Sequence, residues 1–166
     1  MNAKMEQFLL SCSKIDFGEV NLSQGEKNFC NELNDEIDLL CKSLPPSIQT
    51  DALLLLMQYF RRTFVGNPSF FMNYHAPAWS IIYWLIYGRP ASQGLSPKDI
   101  EHAKTAHSMA LLLHPLDDHL SDGQLPATHL NLLVRSQAWM RMNHSMRSLA
   151  KSLDDGTEIV AVIRHC

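Results

Sequence analysis

Signals that start and stop helices recur along the chain at short intervals, and they constrain its fold more than any other feature. Ser23 and Glu26 have the spacing of a capping box, in which each side chain binds a free backbone amide at the helix start. Ser96-Pro97 marks a second start, with a capping hydroxyl followed by a proline at the first helical position. The segments between these signals are long enough for helices, so the sequence predicts a largely helical chain.

The apolar residues that follow the first start signal have helical spacing. Every third or fourth position is apolar in the series Phe29, Leu33, Ile37, Leu40 and Leu44. Similar arguments predict helices near residues 3–13, 53–64, 79–87, 97–122 and 126–153. Residues 158–163 are rich in β-branched side chains, but no second strand candidate pairs with them. We therefore expect an all-α fold, a helical bundle that forms a single domain over residues 1–166.

Length, charge and cysteine usage narrow the class of protein. The chain has 166 residues, enough for one domain with its own core, and its 17 acidic against 14 basic side chains argue against a nucleic-acid binder. Its apolar runs are shorter than the ~20 residues needed to cross a bilayer. We expect no transmembrane segment and no secretory signal. The four cysteines have no CxxC spacing, which is typical of free thiols and predicts a cytoplasmic location.

Chemically active side chains are concentrated in residues 114–124. Residues four apart on a helix share a face, with their Cβ atoms about 5–6 Å apart, so Asp118 and Asp122 are expected to converge with Asp117 to one side. Carboxylates this close repel each other unless a cation lies between them. Mg²⁺ prefers oxygen ligands and commonly joins one or two carboxylates to substrate phosphates. The sequence therefore predicts a Mg²⁺ site at these three residues.

This segment resembles the first aspartate-rich motif of the class I isoprenoid synthases, the helical family of prenyl diphosphate and terpene synthases. Asp118 and Asp122 match the first and last carboxylates of the motif DDxxD, while His119 occupies its second position. The resemblance implies the isoprenoid synthase fold, Mg²⁺ as cofactor and an allylic prenyl diphosphate as substrate. It also implies that Asp118 and Asp122 are the catalytic residues, which hold the metal that ionises the substrate.

Departures from the family pattern bear on the reaction. Gly123-Gln124-Leu125 replaces the Arg-Arg-Gly of chain-elongating enzymes, and their Gly-Gly-Lys-Arg segment is absent. The resemblance therefore implies cyclisation or another ionising reaction rather than elongation. A second metal motif is expected on a later helix, but the acidic residues 154–158 lie about 40 Å along the last helix from Asp122 and do not fit. We expect the chain to supply the N-terminal portion of such a domain, with the fold incomplete.

An aromatic group suggests where a hydrocarbon substrate would bind. Trp79, Tyr83 and His114 are the predicted pocket residues, because the π-faces of aromatic rings attract cations. Ordinary packing in a helical core explains the same aromatic residues equally. Arg135, on the last long helix, suits a solvated face or a contact with phosphate.

Two other functions fit the sequence. In the first, the chain is a non-catalytic helical subunit or regulatory partner that binds a larger synthase through exposed apolar helix faces, as a homo- or hetero-oligomer. In the second, it is a metal-dependent helical hydrolase or di-metal bundle. Its metal ligands would be carboxylates together with the histidines His107, His114, His119 and His129. The Glu-x-x-His repeats that di-iron bundles require are absent from the chain.

Overall fold

The computed structural model describes residues 21–60, 70–71, 76–88 and 95–152. These ranges contain five helices and no strand: α1 (Gln24–Lys42), α2 (Pro46–Tyr59), α3 (Ala76–Tyr87), α4 (Pro97–Ser121) and α5 (His129–Ala150). The prediction of an all-α helical bundle is confirmed. The helix predicted at residues 3–13, the β-branched run 158–163 and the acidic residues 154–158 lie outside the described residues.

Two of the predicted capping signals begin helices as expected. At the start of α1, the Glu26 N–H donates to Ser23 Oγ at 3.3 Å and the Ser23 N–H donates to Glu26 Oε2 at 2.9 Å. At the start of α4, the Asp99 N–H donates to Ser96 Oγ at 3.2 Å. These bonds satisfy amides that have no partner inside the helix, which explains why local sequence fixes the two positions.

Other boundaries differ from the predictions. α2 begins at Pro46 rather than near residue 53, because Pro45 is already extended, with φ −51° and ψ 136°, and a proline fits the first helical position. α2 also ends earlier, at Tyr59. α5 begins at His129 rather than at Pro126, since Thr128 provides the capping hydroxyl.

Pairs of neighbouring helices form the bundle. α4 and α5 have the most extensive contact, and the chain reverses between them, so they run antiparallel. α1 packs across α4, where Ser108 Oγ donates to the Leu33 carbonyl at 2.7 Å and Lys104 pairs with Glu32 at 3.0 Å. Because Tyr59 contacts His119, the C-terminal ends of α2 and α4 meet at one end of the bundle, beside the start of α5.

The hydrophobic core lies among all five helices. Its fully buried large side chains include Trp79, Phe29, Phe70, Leu33, Ile37, Leu40, Leu56, Met109, Leu112 and Val134. The predicted stripe of α1 is therefore the face that packs on the other helices. None of the described helices combines the length and apolar character required to cross a membrane.

Candidate functional site

The predicted acidic pair lies on the last turn of α4. The Asp122 N–H donates to the Asp118 carbonyl at 2.9 Å, and Asp122 has helical angles of φ −81° and ψ −1°. Asp118 and Asp122 are therefore on the same face of the helix, one turn apart, and their Cβ atoms are about 5–6 Å apart. Gly123, with φ +70°, then ends the helix and turns the chain toward α5.

Both carboxylates of this pair are exposed. Among the described residues, no side chain or backbone amide donates a hydrogen bond to either one, and no cation pairs with either one. As far as the described residues are concerned, Asp118 and Asp122 therefore keep their oxygen lone pairs available to a ligand.

Asp117 has a different environment from its two neighbours. Its carboxylate accepts two bonds from the Arg135 guanidinium, Nε to Oδ1 at 2.5 Å and Nη2 to Oδ2 at 2.9 Å. This parallel arrangement is the strong, directional form of an Arg–carboxylate pair. It joins α4 to α5 beside an open cleft of about 320 Å³, lined also by Leu120 and Leu132. The third predicted metal ligand is thus engaged by a cation of the next helix.

The donor set limits how a metal ion would be bound. Within the described part of the chain, no three His, Cys, Asp or Glu side chains come together closely enough to hold a metal. Mg²⁺ does not need three, because it retains several waters and is commonly held by one or two carboxylates together with substrate phosphates. Two carboxylates one helical turn apart, such as Asp118 and Asp122, are a donor set of the kind that Mg²⁺ uses.

An apolar cavity of about 280 Å³ adjoins the same turn. Its lining comes from the end of α2 and the connection into α5: Leu55, Gln58, Tyr59, Leu125, Pro126, Thr128, Leu130 and Asn131. It is linked to the acidic turn by His119, whose ring lies 5.2 Å from the Tyr59 ring and whose carbonyl accepts the Leu125 N–H at 3.0 Å. This cavity was not predicted from the sequence. In the sequence, only the leucines that flank the turn indicate an apolar cavity at this position.

The residues predicted to form an aromatic pocket lie in three different surroundings. Trp79 is buried in the core, and its Nε1 has no hydrogen-bond partner among the described residues. Tyr83 packs against Phe29, with ring centroids 5.7 Å apart. His114 is exposed on α4, one turn before Asp118. No hydrogen bond or ring contact within the described ranges joins Trp79 or Tyr83 to the aspartates.

A close approach between α1 and α3 fixes the position of Tyr83. A Cβ atom added at Gly25 would lie 2.1 Å from Tyr83 Oη, so only glycine leaves room for this ring. Next to it, Glu26 Oε1 accepts hydrogen bonds from Ser80 Oγ and from Trp84 Nε1, the latter at 3.2 Å. Part of the predicted aromatic group thus holds α3 against the start of α1.

The other histidines of the predicted di-metal site, His107, His119 and His129, do not form a common metal site within the described residues. His107 is half-buried, and burial lowers its pKa below the usual value. Its Nε2 has no hydrogen-bond partner in the described part of the structure. His129 is exposed at the first turn of α5, while His119 stacks edge-on against Tyr59.

Comparisons of the chain with protein-family models, with curated proteins and with solved structures found no match. The function is therefore inferred from the residues and geometry of this chain.

Proposed function

We propose that the chain binds an allylic prenyl diphosphate at the end of α4 and promotes loss of its diphosphate with Mg²⁺. The observation that carries this proposal is the exposed Asp118–Asp122 pair, whose carboxylates lie one helical turn apart and have no partner among the described residues. Such a pair repels weakly in water, and a cation bound between its members replaces the repulsion by attraction. The resemblance of this segment to the first aspartate-rich motif supplies the substrate class.

Arg135 is expected to contact the diphosphate directly. Two of its N–H groups are bound to Asp117, and the others in the guanidinium fork are available, with the side chain 40% exposed. Asp117 then acts as a positioning residue, because its two bonds hold the guanidinium in one orientation between α4 and α5. Phosphate oxygens match the spacing of this fork.

The proposed reaction breaks the bond between the allylic carbon and the diphosphate oxygen. The electron pair leaves with the diphosphate, and the allylic carbocation is then captured by water or loses a proton. Mg²⁺, when bound with substrate, supplies neutralisation of the charge that develops on the leaving group. The apolar cavity beside Leu125 and Leu130 is large enough to shelter a short hydrocarbon chain from water.

The test is release of inorganic diphosphate from geranyl diphosphate by the full chain in the presence of Mg²⁺. Replacing both carboxylates, Asp118→Asn with Asp122→Asn, is expected to reduce release at least about 100-fold, because the metal loses both protein ligands. Arg135→Gln is expected to lower the rate about tenfold or more by removing a phosphate contact. Asp51→Asn, which changes an exposed carboxylate on α2, is the matched control and leaves the rate unchanged.

A binding measurement provides an independent check. By calorimetry, Mg²⁺ is expected to bind the wild-type chain in the presence of inorganic diphosphate and much more weakly without it, because two carboxylates provide too few ligands alone. Diphosphate release that persists in the double variant, or tight Mg²⁺ binding without diphosphate that survives the double substitution, would contradict the proposal.

A second candidate function is association through α3. This helix contains no charged residue, and four of its large apolar side chains are about half exposed or more: Ile81 (60%), Trp84 (55%), Leu85 (52%) and Tyr87 (45%). Contiguous apolar surface of this kind often marks a protein interface. A second copy of this chain presents the same surface, which allows the symmetric contact typical of homodimers.

A further inference from the structure

A second group of titratable side chains lines a cleft between α1, α4 and α5. The cleft has a volume of about 420 Å³ and is lined by Glu36, Leu39, Glu101, His102, Thr105, Met140, Arg141, His144 and Ser145. His102 lies in the first turns of α4 and Asp118 in its last turn, sixteen residues later. The two regions are therefore about 24 Å apart along the helix. The cleft is separate from the proposed diphosphate site.

Two imidazole rings approach each other inside this cleft. His102 and His144 come from antiparallel helices, and their ring centroids are 6.2 Å apart with an interplanar angle of 76°. A metal ion bound to a nitrogen of each ring at 2.0–2.1 Å would hold the centroids no more than about 6.4 Å apart. At a tetrahedral N–metal–N angle the centroids would lie about 5.2 Å apart, so a shared ion requires the two side chains to turn about their own bonds and bring the rings about 1 Å closer.

One of these rings has an unused buried nitrogen. His102 Nε2 is inaccessible to solvent and has no hydrogen-bond partner among the described residues. Edge-to-face packing on His144 explains the ring contact but leaves this nitrogen unsatisfied, which is costly for a buried polar atom. A ligand for this nitrogen removes the cost.

The charge around the two rings favours a cation. Glu36 and Glu101 line the same cleft, against a single guanidinium from Arg141. One oxygen of Glu36 accepts a bond from Thr105 Oγ1 at 2.9 Å, which holds this carboxylate in place at the cleft. Because no three of the described metal-ligating side chains converge, water would complete the coordination.

We propose that His102 and His144 form a binding site for a divalent first-row transition ion such as Zn²⁺ or Ni²⁺. Imidazole nitrogen is a ligand that these ions prefer, whereas Mg²⁺ prefers oxygen. The ion bridges α4 and α5 near the start of α4 and the end of α5. The site is open, with two protein ligands and positions left for water or a small anionic ligand.

The experiment measures Ni²⁺ binding to the full chain, without an affinity tag, by calorimetry and by the midpoint of thermal unfolding. Ni²⁺ is the chosen probe because thiolates select it less strongly than Zn²⁺. Binding to the folded state is expected to raise the midpoint. His102→Gln and His144→Gln, made separately, are each expected to weaken binding about tenfold or more and to abolish the rise. His114→Gln and His129→Gln, which change exposed histidines near the other end of the same helices, retain both.

Different variants distinguish the two proposed sites. The double variant Asp118→Asn with Asp122→Asn keeps Ni²⁺ binding, and Mg²⁺ at the same concentration does not raise the unfolding midpoint. The proposal is overturned if the wild-type chain does not bind Ni²⁺, or if either the His102 or the His144 variant binds it as tightly as the wild type. If both variants still fold, as their circular dichroism in the absence of metal would show, loss of binding reports on the ligands themselves.

Discussion

At the scale of single residues, Glu26 and Asn34 each join segments distant in the chain. Glu26 caps α1 and also accepts bonds from Ser80 and Trp84 of α3. Asn34 is buried, and its Oδ1 accepts the Phe70 N–H at 2.6 Å. Both side chains satisfy backbone or side-chain donors that would be costly if left unpaired. The sequence predicted only the capping role of Glu26, since that role depends on Ser23, three residues away.

The bonds at Glu26 predict a pH dependence of stability. Hydrogen bonds from Ser80 and then from Ser23 lower the pKa of Glu26 from 4.5 to about 2. Because the folded pKa lies below the unfolded value, the stabilisation is fully present above about pH 4.5 and is lost as the pH falls toward about 2. Glu26→Gln is expected to lower the free energy of unfolding at pH 7. It is also expected to make that free energy less dependent on pH between these values, because up to about one proton fewer is taken up on unfolding.

Urea unfolding at several pH values measures this effect. Glu101→Gln provides the control, because Glu101 is exposed on α4 and has no hydrogen-bond partner among the described residues. A Glu26→Gln variant with the wild-type pH dependence would show that the bonds from α3 do not form in solution.

At the scale of helices, α4 contains a proline in its interior, and the question is whether the helix continues through it. Pro115 has no N–H to offer the Leu111 carbonyl, so a helix either bends there or restarts at the proline. The structure has one continuous helix from Pro97 to Ser121. Along α4, His107 and Leu111 are half-buried, while Asp118 is exposed. Asp118 and Asp122 therefore lie away from the core surface, and Leu112 and Leu116 belong to the buried face of the helix.

The end of α4 predicts a specific cost for substituting Gly123. An added Cβ meets no atom within 4 Å, so the only penalty of Gly123→Ala is the left-handed backbone angle of φ +70°. This penalty is expected to lower the free energy of unfolding by about 1 kcal/mol. Gly123→Asn is expected to cost less, because asparagine tolerates this conformation. Denaturant unfolding of both variants checks the order; an alanine variant as stable as the wild type would contradict the turn geometry.

At the scale of the whole molecule, one region of surface is not explained by the packing of the described helices. α3 is held to α1 by Tyr83 and the bonds to Glu26, yet its outer side presents Ile81 and Leu85. Scattered apolar residues are ordinary on a protein surface, but a group of them on one uncharged helix is less so.

Self-association through this face gives a direct prediction. We expect the molar mass in light scattering to rise above the 18.9 kDa of one chain as the concentration increases. The double substitution Ile81→Gln with Leu85→Gln is expected to return the mass to that of the monomer. Leu54→Gln, which changes an exposed leucine on α2 (41% exposed), leaves the association unchanged. A wild-type chain that stays monomeric up to millimolar concentration would contradict association of this kind.

The sequence by itself determined the helical class, two helix starts and the i,i+4 relation of Asp118 and Asp122. These features depend on interactions between residues three or four apart, which local sequence specifies. Only the tertiary structure decided that Asp117 binds Arg135, eighteen residues away, and that Glu26 meets Ser80, fifty-four residues away. The pairing of His102 with His144 and the cavity beside Tyr59 likewise depend on which helices are neighbours. That choice is made by burial of apolar faces across the whole bundle, which no single segment of the sequence specifies.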